Sequence, residues 1–183
     1  MLKITIPPRE IWDETKQEFK SIPGGDIVLE HSLVSISKWE SKWHIPYMSE
    51  TPKTPEQIMD YIHCMTLTQN VNPDIYSGIG PKEATQIKEY IEDPMTATTI
   101  QDHTPGGKRP AKKQVVTSEL IYYWMIEFGI PVEFQKWHIN RLMKLIEVCN
   151  IKQSSEGGQM SRKDLAKFNS QLNKSRLASG KRK

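Results

Sequence analysis

Cysteine is scarce: Cys64 and Cys149 are the only two in 183 residues. They lie far apart within apolar helical patterns, so two buried free thiols in a reducing cytosol are expected, not a disulfide. His31, His44, His63, His103 and His138 form no HxxxH spacing, and neither cysteine has a second one two residues away. A zinc site is therefore not expected, and no other cofactor is implied. No G-x-S-x-G, GxxxxGK[ST] or GxGxxG occurs, and Gly106-Gly107-Lys108 lacks the outer glycine and the strand–helix setting of a phosphate loop. His63-Cys64 resembles a base and nucleophile only on paper, because adjacent helical residues point about 100° apart. No apolar run reaches about 18 residues, and Met1-Leu2-Lys3 opens no signal-peptide pattern. A soluble, unexported, non-enzymatic protein without internal repeats is the expectation.

What the chain does contain is patterned. Leu2-Lys3-Ile4-Thr5-Ile6 alternates apolar and polar residues until Pro7-Pro8, as a half-buried strand does. Glu10–Ile22 admits a helix bringing Trp12, Phe19 and Ile22 together, or a hairpin turning on Asp13-Glu14-Thr15-Lys16; the polar cluster favours the hairpin. Pro23-Gly24-Gly25-Asp26 makes a turn before a strand at Ile27-Val28-Leu29. A small antiparallel sheet of three or four strands thus precedes the helices.

Leu33, Ile36, Trp39/Glu40 and Trp43 share one helical face, and Pro46 ends that helix. Thr54-Pro55-Glu56-Gln57 combines a cap, a first-position proline and a capping-box glutamine ahead of Ile58, Tyr61, Ile62 and Met65. Asn70–Gly80 reads as a loop with one turn near Asp74–Tyr76. Pro81–Glu92 reads as a solvated helix with Ala84, Ile87 and Ile91 on its apolar side.

The most informative stretch is Thr117–Asn150. Leu120–Phe128 carries a single charge, Glu127, and is apolar nearly all round, so other elements are expected to cover it. Thr117 suits the N-cap, Glu119 the first turn and Gly129 the left-handed position after the end. Pro131 suits the first position of a second helix, along which Phe134, Trp137, Arg141/Leu142, Leu145 and Val148/Cys149 recur. Together these predict a buried helical hairpin over 117–150.

Gln101–Gln114 has two Gly, two Pro and four Lys/Arg without apolar periodicity, which predicts a flexible basic linker over 101–115. Residues 152–183 hold nine Lys/Arg against Glu156 and Asp164, a local balance of +7 that leaves −4 elsewhere in a chain of net charge +3. The predicted class is therefore α+β, mainly α. Its parts are a β-plus-helical module over 1–100, the linker, a helical hairpin module over 116–152, and a basic, weakly helical or disordered tail over 153–183. Basic segments can neutralise phosphates without reading bases, so sequence-independent nucleic-acid binding is one functional class. Against it, Phe168 is the tail's only aromatic residue, leaving no Trp or Tyr for base stacking. The five tryptophans are interaction hot spots or core, with core favoured for Trp124 and Trp137 and Trp39 and Trp43 undecided.

Two stretches resemble a known family. Leu29–Trp43 followed by Thr54–Leu67 looks like the N-terminal half of the tail assembly chaperones of long-tailed bacteriophages. Ser118–Lys152 looks like the downstream part of their longer, frameshifted product, often made by ribosomal slippage near such a junction. The resemblance implies a non-enzymatic chaperone in the host cell cytoplasm, absent from the finished virion. It implies two partners: the tape measure protein, coated by the N-terminal part, and the major tail tube protein, recruited by the extension. Self-association along the tape measure protein is a third expectation, nucleic acid is not an expected partner, and no membrane is involved. Coating a helical, aggregation-prone partner needs aromatic surface bordered by charge. Trp39, Trp43 and Tyr47 beside Lys38, Glu40 and Lys42 fit that need, and Trp137 with Arg141 offers a second contact.

Overall fold

The computed structural model describes residues 1–14, 17–99 and 115–156. The fold is α+β, mainly helical, with a small antiparallel β element ahead of the helices. By backbone contacts it divides into Met1–Ile146 and Glu147–Lys183. In the second unit the described residues, 147–156, are helical.

The β element is two separate two-stranded sheets. β1 (Leu2–Ile6) pairs antiparallel with β4 (Gly25–Leu29), and between them β2 (Arg9–Asp13) and β3 (Glu18–Ile22) form a hairpin. Alternation drives the first sheet: Ile4, Ile6, Ile27 and Leu29 are buried while Lys3 and Thr5 face water. In the hairpin, Trp12 pairs with Phe19 edge to face at 5.1 Å, and both remain exposed. Gly78 lies where this β element meets the following loop. A Cβ there would come within 2.9 Å of both Ile6 and Ile22.

α1 (Leu33–Trp43) ends at His44, which takes the left-handed conformation two residues before Pro46. α2 (Pro55–Met65) starts with the capping box, since Thr54 Oγ1 accepts from Gln57 N–H and Gln57 Oε1 accepts from Thr54 N–H. A 3-10 turn at Pro73–Gly78 precedes α3 (Pro81–Glu92). The buried side of α3 is Glu83, Ile87 and Tyr90, not the expected Ala84, Ile87 and Ile91: Ala84 is exposed and Ile91 half-buried.

α4 (Ser118–Glu127) has Thr117 as its N-cap, and Gly129 has φ +64° just after its end. It is not covered all round. Ile121 and Met125 are buried, whereas Ile126 is 80 % and Tyr123 57 % exposed. The second helix also begins later than expected. Pro131 is non-helical, with ψ 141°, Val132–Lys136 is a 3-10 turn, and α5 runs Ile139–Glu156. Tertiary pairing decides this: Ser32 and His138 form an antiparallel bridge, and Ile139 N–H donates to the His31 carbonyl at 2.9 Å. His138 then caps α5 by accepting Asn140 N–H at Nδ1, 3.3 Å away.

These contacts revise the modular division. Ile121, Met125, Ile139, Leu142 and Ile146 share one core with Ile4, Leu33, Trp39 and Met65, so residues up to Ile146 do not form a separate hairpin module. Apart from Val115, the expected linker (101–115) lies outside the described residues, as does the expected tail (153–183) apart from 153–156. Both cysteines are unbonded and half-buried, less enclosed than expected.

Candidate functional site

α2 and α3 flank an open groove of about 320 Å³. Its α2 side carries Ile58, Tyr61 and Ile62 and its α3 side Ala84, Ile87 and Ile91. These are helical neighbours three or four residues apart, so each helix contributes one continuous apolar stripe. Ile58 is half exposed. Tyr47 and Lys53, from the connection between α1 and α2, close one part of the rim, and Lys88 and Glu92 stand on another.

The rim charges differ. Lys88 has Glu92 at 3.9 Å, both well exposed. Lys53 is half-buried, its ammonium 4.7 Å from the Tyr47 ring centroid and 5.8 Å from that of Trp39. Among the described residues no carboxylate pairs with it. Burial lowers its pKa, so this cation is partly stripped of water with only ring faces in exchange.

Beneath the groove lies a buried aromatic and histidine network. Tyr47 stacks on Tyr61 at 4.1 Å, and the Tyr61 hydroxyl shares a 2.6 Å hydrogen bond with His31 Nδ1. The His31 ring meets His138 edge to face at 4.9 Å. Because His138 Nδ1 accepts from Asn140 N–H, its proton sits on Nε2, which donates to the Tyr90 carbonyl at 2.9 Å. Burial, with the neighbouring His138 adding, drives the His31 pKa down to about 3. Burial pushes Tyr47 up to about 12 and raises Tyr61 well above its ordinary value. Every shift favours the neutral form around neutrality, so the network orients groups and is poorly poised to exchange protons.

The residues expected to bind partners are spread over the molecule. Trp39 is wholly buried, donating Nε1–H to the Gln57 carbonyl at 2.9 Å, which corrects its expected place on a partner surface. Its face of α1 meets α2, and the deepest apolar position took the largest ring. Trp43 is half-buried and donates Nε1–H to Asp60 Oδ2 at 2.8 Å, and the same carboxylate also binds Lys42. Of the first trio only Tyr47 lines the groove. Trp137 stacks on Phe134 at 4.0 Å, and the Arg141 guanidinium lies 4.0 Å from its ring centroid, forming a separate half-exposed stack. Glu40, expected among the bordering charges, is buried. Sequence reasoning missed Lys53 as a site residue. The sequence offered only a partial signal: a lysine immediately before the Thr54 capping box is held at the start of a helix with an apolar stripe.

A smaller open pocket of about 270 Å³ is bounded by His63, Thr66, Thr68, Val71, Pro73 and Tyr76, with His63 stacked on Tyr76 at 3.7 Å. Burial raises the Cys64 thiol above its ordinary pKa, which disfavours the thiolate. Among the described residues no three His, Cys, Asp or Glu side chains converge as metal ligands, and no helix is long and apolar enough to cross a membrane. Comparison with known protein families, curated proteins and solved structures finds no match.

Proposed function

We propose that this chain is a tail assembly chaperone of a long-tailed bacteriophage, a non-enzymatic factor that shields helical segments of the tape measure protein. The observation that carries the reading is the α2–α3 groove, a mainly apolar trough between two helices that the described residues leave open, with Lys53, Lys88 and Glu92 also along its lining. Such a trough takes the apolar stripe of a third helix, presented at i, i+3, i+4 and i+7. The family resemblance of Leu29–Trp43 and Thr54–Leu67 supports it, since those stretches build α1 and α2. A shallow trough gives modest affinity, and many copies along one elongated partner gain avidity while each stays removable. Recruitment of tail tube protein is assigned to apolar groups outside the groove: the exposed Tyr123 and Ile126 on α4, and the Phe134–Trp137–Arg141 stack.

Co-expression with a tape measure protein, sought as a very long, helix-rich reading frame directly downstream of this one, tests the proposal. The full chain should co-purify with that protein, and Ile58→Glu or Ala84→Glu, both at exposed positions, should abolish capture while circular dichroism stays unchanged. Absence of capture by the unmodified chain overturns the chaperone reading, and capture undiminished in both variants overturns the groove as its site.

A further inference from the structure

The groove is built to hold apolar side chains, yet one feature of its rim has no counterpart within the described residues. Lys53 is the partly desolvated ammonium over the Tyr47 ring, without a carboxylate partner among the described residues, whereas Lys88 on α3 already has Glu92. A long lysine stem lies readily along apolar surface with its charge at the edge. Here the stem is half-buried and the head is held over two rings. Facing rings stabilise a cation without neutralising it, so the position stays electrostatically unsatisfied.

We propose that the groove selects amphipathic helices that carry an Asp or Glu flanking their apolar stripe, with Lys53 pairing that carboxylate at the Tyr47 end. The inference rests on the helix-binding reading and adds a chemical criterion to it. The carboxylate of the incoming helix and Lys53 desolvate together, and Tyr47 holds the ammonium in place before the partner arrives. α2 spans about three turns, so a matching occupant needs an apolar stripe of similar length with the acidic residue about one turn beyond its end. The neutral Lys88–Glu92 pair on α3 gives a second acid no comparable gain. The criterion therefore fixes direction as well as composition: a helix inserted the other way round places its carboxylate away from Lys53.

Two labelled, Ala-rich peptides of about 18 residues, long enough to hold helix in water, test this directly. They share a Leu stripe at i, i+3, i+4 and i+7 and differ only in Glu or Gln one turn beyond it. By fluorescence anisotropy with the full chain, the Glu peptide should bind about fivefold more tightly, the upper range for a partly exposed ion pair, and lose that margin in high salt. Lys53→Met should equalise the two peptides, and Lys53→Arg should restore the preference. Equal affinities for the unmodified chain overturn the proposal, as does a preference that survives Lys53→Met. Failure of both peptides to bind overturns the helix as occupant. Tape measure protein captured through the groove alongside equal peptide affinities would leave the chaperone reading standing and remove the acidic criterion. A Glu preference without tape measure capture would do the reverse.

Discussion

Glu40 reaches Ser118 across 78 residues of sequence: its Oε2 accepts the Ser118 backbone N–H at 2.8 Å, while its Oε1 accepts the Tyr47 N–H at 2.7 Å. Ser118 opens α4, where the first backbone N–H groups have no partner within the helix and the dipole favours negative charge. One buried carboxylate thus caps a helix and pins the chain after α1. Glu40→Ala leaves the buried Ser118 N–H and the part-buried Tyr47 N–H without this acceptor and is expected to lower unfolding free energy by about 2–3 kcal/mol. Glu40→Gln keeps one acceptor oxygen and should cost less. Chemical denaturation of the two variants measures the difference.

Trp39 and Trp43 separate cleanly. Trp39 has no exposed surface and one buried Nε1–H bond, so Trp39→Ala should cost about 3–5 kcal/mol. Trp43 is only half-buried, and Trp43→Ala should fall well below that, with the helical circular dichroism signal retained. Equal losses in thermal melts would contradict the assignment.

Acid should weaken this fold through His31. Its folded pKa is depressed from 6.5 to about 3, so between those values the unfolded chain binds a proton that the folded chain refuses. Stability is therefore full above about pH 6.5 and declines as pH falls towards 3, by at most about 1.4 kcal/mol per pH unit for one such proton. Burial also lowers His138, which steepens the same decline. His31→Asn keeps a hydrogen-bonding amide beside the Tyr61 hydroxyl but cannot titrate. Its urea midpoint should change less between pH 7 and pH 4.5 than that of the unmodified chain.

A chain ending near Asp102 should not fold on its own. It would lose Ile121, Met125, Ile139, Leu142 and Ile146 from the common core, together with the acceptor role of Glu40 toward α4. Dye binding to exposed apolar surface and collapsed amide dispersion in solution spectra are the expected readouts, whereas a chain ending after Glu156 should give a cooperative melt.

Much of this architecture was legible from local chemistry. The Thr54 capping box, Thr117 at its cap, Gly129 with positive φ and the bounds of α3 all follow from residues within a turn of one another. Three features were not legible, for a common reason. α5 starts at Ile139 instead of beside Pro131 because Ser32 pairs with His138, a partner that no local window contains. Ile126 stays bare although α4 reads as apolar all round, because hydrophobicity says that a face can be buried but not that something arrives to bury it. Separate modules were inferred from a polar linker, yet a polar connection does not prevent its two flanks from sharing a core. At the groove, Ala84, Ile87 and Ile91 were visible as an apolar side, while the isolation of Lys53 needed three dimensions.

The bridge between Ser32 and His138 also sets the order in which this protein can be completed. β1 and β4 can zip as soon as both leave the ribosome, but the bay that receives Ile139 and Leu142 stays open until most of the chain has been made. Closure over such sequence separation is slow relative to local helix formation. During synthesis the half-built molecule therefore displays the kind of greasy recess that the finished one offers to others, and for that interval it depends on not meeting its neighbours.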